Sequence, residues 1–389
     1  MNQTQILPPS VSRIGRNALV IGIIALALSA AGYFVNPDRF FQSYLFGYMY
    51  ALQFPLGCIG LLTIHHLAGG RWGYSIRRFL EAGILTFPLM AVLVIPIVVG
   101  MNTLYPWINP EEHYALLDHK AIYLNVPFFL GRIVFYFVVW TAIGLWLNQQ
   151  SVKQESVDVP DPKSVDRLKR ASAIGIILFM LTATFAVFDW MMSLQPYWFS
   201  SIYGVIYLAG AAIAAMSFSL LVGNALKDHK PISELLTIDL FSDLSNFMLA
   251  FVSFWAYVSF SQYLIIYMAN LPEEISWYAV RGNGGWGYFA LALIFLHFAL
   301  PFGILLSKSN KRVLKLMVLL AMFLLFMRAI DLFWHIMPAF YETVSISWID
   351  FMTPIGLTGI WLWFFIMQLN RKPLVVRRDP RFQEVPAHG

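Results

Sequence analysis

Ten runs of apolar residues, each long enough to cross a lipid bilayer as a helix, dominate this chain and leave few other folds open to it. They lie near residues 17–35, 41–66, 79–101, 124–147, 170–192, 199–226, 236–268, 286–307, 313–336 and 348–369. Of the 389 residues, 59% are hydrophobic and only 12% are charged, about half the charge of a soluble domain. In hydrocarbon, backbone N–H and C=O groups must find partners within the chain, so runs of this length become helices. The sequence therefore predicts an all-α polytopic membrane protein of about ten transmembrane helices. The single cysteine, Cys58, excludes an internal disulfide and an iron–sulfur cluster held by this chain alone. The polar stretch MNQTQILPPSVSRIGRN is too long for a cleaved signal, so the first run is expected to stay as a helix.

Basic residues set the expected orientation. Of 26 Lys and Arg, Arg39, Lys120 and Arg281 fall in loops on the far side, and Arg132 and Arg328 fall inside helices. All the others fall on one side, which makes both termini cytoplasmic. The net charge of +5, with the tail RKPLVVRRDPR, then needs anionic membrane lipid and no nucleic acid.

The link 148–170 is the only long, charged, proline-bearing connector, with four helices before it and six after. The fifth helix ends DWMMSLQPYW and the ninth ends DLFWHIMPAF. In each an Asp stands seven residues before a Pro, which suggests a parallel repeat of four helices. The expected division is residues 1–40 for the tail and first helix, 41–198 for helices two to five, 199–340 for helices six to nine, and 341–389 for the tenth helix and a basic tail. Helices two to five and six to nine would form two four-helix bundles, with helices one and ten outside them.

Ionisable groups inside a membrane are costly and usually mark a pathway or a pocket. At ~1.5 Å per residue, Asp189 and Asp331 each lie ~25 Å from the cytoplasmic end of their helices. Arg328, Asp331 and His335 share one helical face, and Arg132 enters early on the fourth helix. Two Arg pairing two Asp in one outer layer would offset the cost of burial. Such a layer reads as a structural tie between bundles, a proton exit or a quinone pocket. On the seventh helix Asp239, Asp243, Asn246, Ser253, Tyr257 and Ser261 keep one face over ~33 Å. That stripe reads as a proton route or as a helix-packing face.

His65 and His66 end the second helix near Glu81. Adjacent histidines point about 100° apart, so they do not face one metal. His66 reads first as an interfacial or water-accessible group and second as a proton-entry group, with Glu81 beside it. His297 lies mid-membrane and His335 near the outside, so no two histidines on different helices share a depth for haem. GNGGWG (282–287) matches a dinucleotide-binding pattern, but no strand precedes it, so its glycines read as a tight loop.

Four blocks carry a resemblance: DWMMSLQPYWFSSIYG, HHLAGGRWGYSIRR, NLPEEISWYAVRGNGGWG and LHFALPFGILLSKSNKR. Together they resemble the F-subunit (ActF) family of bacterial alternative complex III, a quinol:electron-acceptor oxidoreductase. More loosely they resemble the NrfD-like membrane subunits of polysulfide reductase. The resemblance runs from the second helix to the ninth. It implies ten helices in the bacterial cytoplasmic membrane and two four-helix bundles. It implies a paralogous C subunit beside this chain, an iron–sulfur subunit, and multihaem and monohaem cytochrome c subunits. Haem c and iron–sulfur clusters would belong to those partners, with no cofactor held by this chain alone. In the family the carboxylate of the D-W-x-M-S-L block is associated with the quinone pocket; Asp189 matches it. A proton pathway is the role the resemblance implies for this subunit.

The expected pathway runs from Asp239 and Asp243 to Asp189, Asp331 and His335, with Arg132 and Arg328 balancing the acids and His66, Glu81 and His297 as further pathway candidates. An alternative is quinone binding by Asp189 with Tyr197, Tyr203 or Arg132. A secondary transporter and a structural anchor are the other readings. Against the transporter, no pair of interrupted helices is visible in the sequence.

Overall fold

The computed structural model describes residues 7–110, 119–156 and 162–376. The centre of the expected linker (157–161) and most of the basic tail (377–389) lie outside the described residues. Among the described residues, ten helices are long and apolar enough to span a membrane. We number them α1 (Pro9–Tyr33), α2 (Pro37–Ala68), α3 (Arg71–Val99), α4 (Val126–Ser156), α5 (Pro162–Trp190), α6 (Tyr203–Leu226), α7 (Ile238–Ala269), α8 (Trp286–Leu306), α9 (Leu314–Ile336) and α10 (Ile349–Leu369). The protein is thus an all-α polytopic chain.

Local chemistry explains the helix ends. Pro9 and Pro37 open α1 and α2, where a missing N–H costs nothing and φ is already helical. Asn36 caps α2, its side chain accepting from the Arg39 N–H at 2.9 Å. Several helices therefore begin before their apolar runs do.

α2 packs on α3 and α5, and α4 packs on the same two. In the same pattern, α6 packs on α7 and α9, and α8 packs on those two. The two rings of four meet along α2 and α6. α10 lies across α2 and α3, and α1 lies on α10. A Cβ at Gly57 of α2 would collide with the Ala211 carbonyl and Cβ of Ala215 on α6, so the rings meet backbone to backbone there. Gly57→Leu is therefore expected to cost about 3 kcal/mol or more. Monodisperse protein recovered after detergent extraction should fall to a small fraction of wild type, whereas Gly131→Leu, at an open position, should not change it.

Two spans are irregular, contrary to the uninterrupted helices read from sequence. Pro96 breaks the ladder of α3, and the Ile97 N–H turns to the Val94 carbonyl at 3.0 Å. This leaves the Leu93 carbonyl for the Tyr44 hydroxyl, which donates at 2.9 Å. At an earlier break in α3, between Ile84 and Phe87, Trp361 of α10 donates its Nε1–H to Thr86 Oγ1 at 2.8 Å. In α8 residues Leu293–Ala299 form a π turn just before Pro301. Here Pro301 has no N–H for the His297 carbonyl, and π turns absorb such a mismatch. The two irregular spans, second in one ring and third in the other, are not equivalent positions of the repeat.

Candidate functional site: two buried ion pairs

Among the described residues, guanidinium groups pair with buried carboxylates at Arg39–Asp350, whose Arg39 sequence reading placed in an outer loop, at Glu81 with Arg77 and Arg78, and at two centres that hold the intramembrane acids singled out in the sequence. In the first of these two centres, Asp189 sits in the last turn of α5 and is fully buried. Arg132 of α4 grips it with two parallel bonds, Nε to Oδ2 and Nη2 to Oδ1, both 2.8 Å. The Tyr136 hydroxyl donates to Oδ2 at 2.6 Å. The third arm of Arg132 donates to the Tyr123 carbonyl at 2.9 Å, and the guanidinium lies 3.8 Å from the centre of the Tyr123 ring. A fork of this kind is the strong form of an ion pair and fixes both partners. Burial, then the charge of Asp189, pushes the Tyr123 phenol above its ordinary pKa, so it stays neutral beside the pair.

The second centre is built on α9. Arg328 and Asp331 are three residues apart, and Nη1 of the first donates to Oδ2 of the second. Arg328 Nε donates to Gln53 Oε1 of α2 at 3.2 Å. His335, one turn further, sets Nδ1 3.2 Å from Asp331 Oδ1 and 2.9 Å from the Asp331 carbonyl. Arg328 and Asp331 are at most 1% exposed. A cavity of about 10 Å³ adjoins them, lined by Tyr203, Tyr207, Arg328, Asp331 and His335 among others. That is the size of a single water. Arg328 Nη2 and Gln53 Nε2 are buried without an acceptor among the described residues.

Above this centre lies a cation that sequence reading placed only in an outer loop. Arg281, in the helix Pro272–Gly282, is 1% exposed. It donates to the His335 carbonyl at 2.8 Å and to Gln195 Oε1 at 3.1 Å, and stacks 3.5 Å over Trp277. Burial without a carboxylate brings its pKa down to about 9. Gln53, Tyr136 and Arg281 were missed because each looks ordinary in sequence. A signal existed only for Tyr136, four residues after Arg132 and so on the same face.

The other expected site residues are placed as follows. His66 is 1% exposed rather than water-accessible, with Nδ1 2.9 Å from Ser172 Oγ of α5. The α2–α3 turn folds back and covers it, Gly73 lying against the His65 ring. Glu81 is locked between Arg77 (2.8 Å) and Arg78 (2.6 Å), with Lys372 at 3.7 Å. His297 is buried in the π turn, edge-on to Trp255 at 4.5 Å, and neither ring nitrogen has a hydrogen-bond partner among the described residues.

The stripe on α7 faces away from the bundle interior. Asp239, Asp243, Asn246 and Tyr257 are exposed, and Ser253 and Ser261 are half-buried. Its period matched a helix face, but the interior face of α7 is the one carrying Leu244, Met248, Val252 and Trp255. An interior route from Asp239 and Asp243 through this stripe is therefore not what the helix presents.

The quinone candidates do not converge. Both oxygens of Asp189 are taken by Arg132 and Tyr136, and the residue is fully buried. Tyr203 lines the cavity at Asp331 instead. Tyr197 lines a separate outer cavity of about 210 Å³ with Trp198 and Trp277. This arrangement does not fit a quinone headgroup held between Asp189 and those tyrosines.

Compared with known protein families, the chain matches no family model, and no curated protein sequence matches it either.

Proposed function

We propose that this chain is a membrane subunit, without a redox centre of its own, of a quinol-oxidising electron-transport complex of the alternative complex III type, and that its second ring moves protons. The four sequence blocks support the family; the buried centre on α9 supports the role. Asp331, His335 and a water-sized cavity stand together where ionisable groups otherwise have no reason to be. In this reading Asp331 and His335 exchange a proton through a water in the cavity. Arg328 keeps the centre charge-balanced, and Gln53 holds Arg328 in place. Arg132–Asp189, closed on all sides, is a structural tie between α4 and α5. Quinone, haem c and iron–sulfur chemistry belong to partner subunits: the paralogous C subunit, an iron–sulfur protein and c-type cytochromes. The membrane would be the bacterial cytoplasmic membrane, with both termini on the cytoplasmic side.

The test uses the assembled complex in sealed vesicles. Asp331→Asn keeps the shape and the bond from Arg328 but removes the titrating group. Proton release is expected to slow about 10²-fold, while uncoupled quinol oxidation stays measurable. Release per electron equal to wild type would end the proton-transfer role. A purified chain with no redox partner in its native membrane would end the family reading.

A further inference from the structure

The stripe on α7 points to a different use. In its most apolar stretch α7 is only 28% buried, against 89% for α2, so most of its surface has no cover within this chain. Exposed side chains on other peripheral spans are ones that lipid satisfies, such as Ile21 on α1, Ile177 on α5 and Ile294 on α8. α7 exposes such residues too, Phe254 and Phe260 among them, but its stripe adds polar groups that lipid does not satisfy. Tyr257 is 67% exposed, and neither its hydroxyl nor that of Ser261 makes a hydrogen bond among the described residues. Trp255, two residues earlier, meets His297 midway along α8, so this level lies in hydrocarbon. A polar group in hydrocarbon without a partner costs a few kcal/mol, and such groups ordinarily face other helices.

We propose that this face of α7 docks a membrane-spanning helix of a different polypeptide, one with hydrogen-bonding side chains at the level of Tyr257 and Ser261 and a basic or donor group opposite Asp243. Charge selects a different chain over a second copy. Asp239 is paired with Arg312 at 3.2 Å, whereas Asp243 feels the charge of Arg71 but makes no ion pair among the described residues. A two-fold pairing along α7 would set Asp243 against Asp243, whereas a basic group would neutralise it. Asn246, whose Oδ1 accepts from Lys311 at 2.6 Å, still has its amide N–H groups to offer at this face. The inference rests on the polarity of the face and not on the redox reading. A partner helix in a complex without redox centres would leave the interface standing and remove that reading alone.

Photocrosslinking in native membranes tests it. Tyr257→p-benzoylphenylalanine and Ala250→p-benzoylphenylalanine place the probe twice on the same face, two turns apart, and Ile177→p-benzoylphenylalanine on α5 is the lipid control. The expected result is that both α7 probes attach to one apolar segment of one other polypeptide, at points about seven residues apart, while the control attaches to lipid. Tyr257→Phe, which removes only the hydroxyl, should lower co-purification of that polypeptide about threefold. Attachment to lipid alone, to a second copy of this chain, or to unrelated points on several proteins would overturn the proposal.

Discussion

Arg132→Ala is expected to leave almost no folded protein. The change strips the cation from Asp189, which is fully buried, and leaves the Tyr136 hydroxyl as its remaining side-chain donor. A charge left alone in such a place costs about 3–5 kcal/mol. Folded domains are stable by only about 5–15 kcal/mol, so the loss takes a large share. The mutant should aggregate when warmed in detergent at temperatures where wild type stays monodisperse by size-exclusion chromatography. The paired change Arg132→Met with Asp189→Leu removes both charges and should recover most of the lost yield, because removing a whole buried pair is often near neutral. Equal behaviour of the single and paired variants would show that the ion pair is not what ties α4 to α5.

Glu81→Gln should be nearly as damaging, at the other end of the molecule. Glu81 holds Arg77 and Arg78, both buried, and faces Lys372 beyond the end of α10. Burial already lowers the Lys372 pKa, and Glu81 is the group that counters this. Without the carboxylate, three cations share one buried site at a cost of about 3 kcal/mol or more. The segment after α10 should loosen first. Lys372 also bonds Asn148, and the Tyr74 hydroxyl donates to the Val376 carbonyl, so residues 371–376 are strapped to α3 and α4. Limited trypsin digestion should therefore cut after Arg371 in Glu81→Gln and spare that bond in wild type; Lys372 precedes Pro373 and is not a trypsin site in either. An unchanged digestion pattern would separate the strap from the Glu81 cluster.

The ten spans were legible because hydrocarbon admits no other answer for long apolar runs, and length and composition suffice to find them. That the two intramembrane acids would be offset by the two arginines was legible for a related reason, because few other groups there cancel charge; which Arg meets which Asp was not. Which residues complete each centre was not legible. Gln53 and Arg281 come from elements far away in sequence, and only packing brings them to Arg328 and His335. The stripe on α7 shows the limit most clearly. Helical periodicity finds which residues share a face, because that depends on the backbone alone. Whether the face looks inward or outward depends on which neighbours the other helices choose. His66 went wrong in the same way: its place at the end of an apolar run suggested water, and the turn that covers it is a tertiary feature. By itself the sequence determined the spans, their expected orientation and the charges that had to be paired. The tertiary structure decided which acids are sealed, which stand beside a cavity, and which helix faces stay uncovered within this chain, because burial belongs to pairs of helices and not to any one of them.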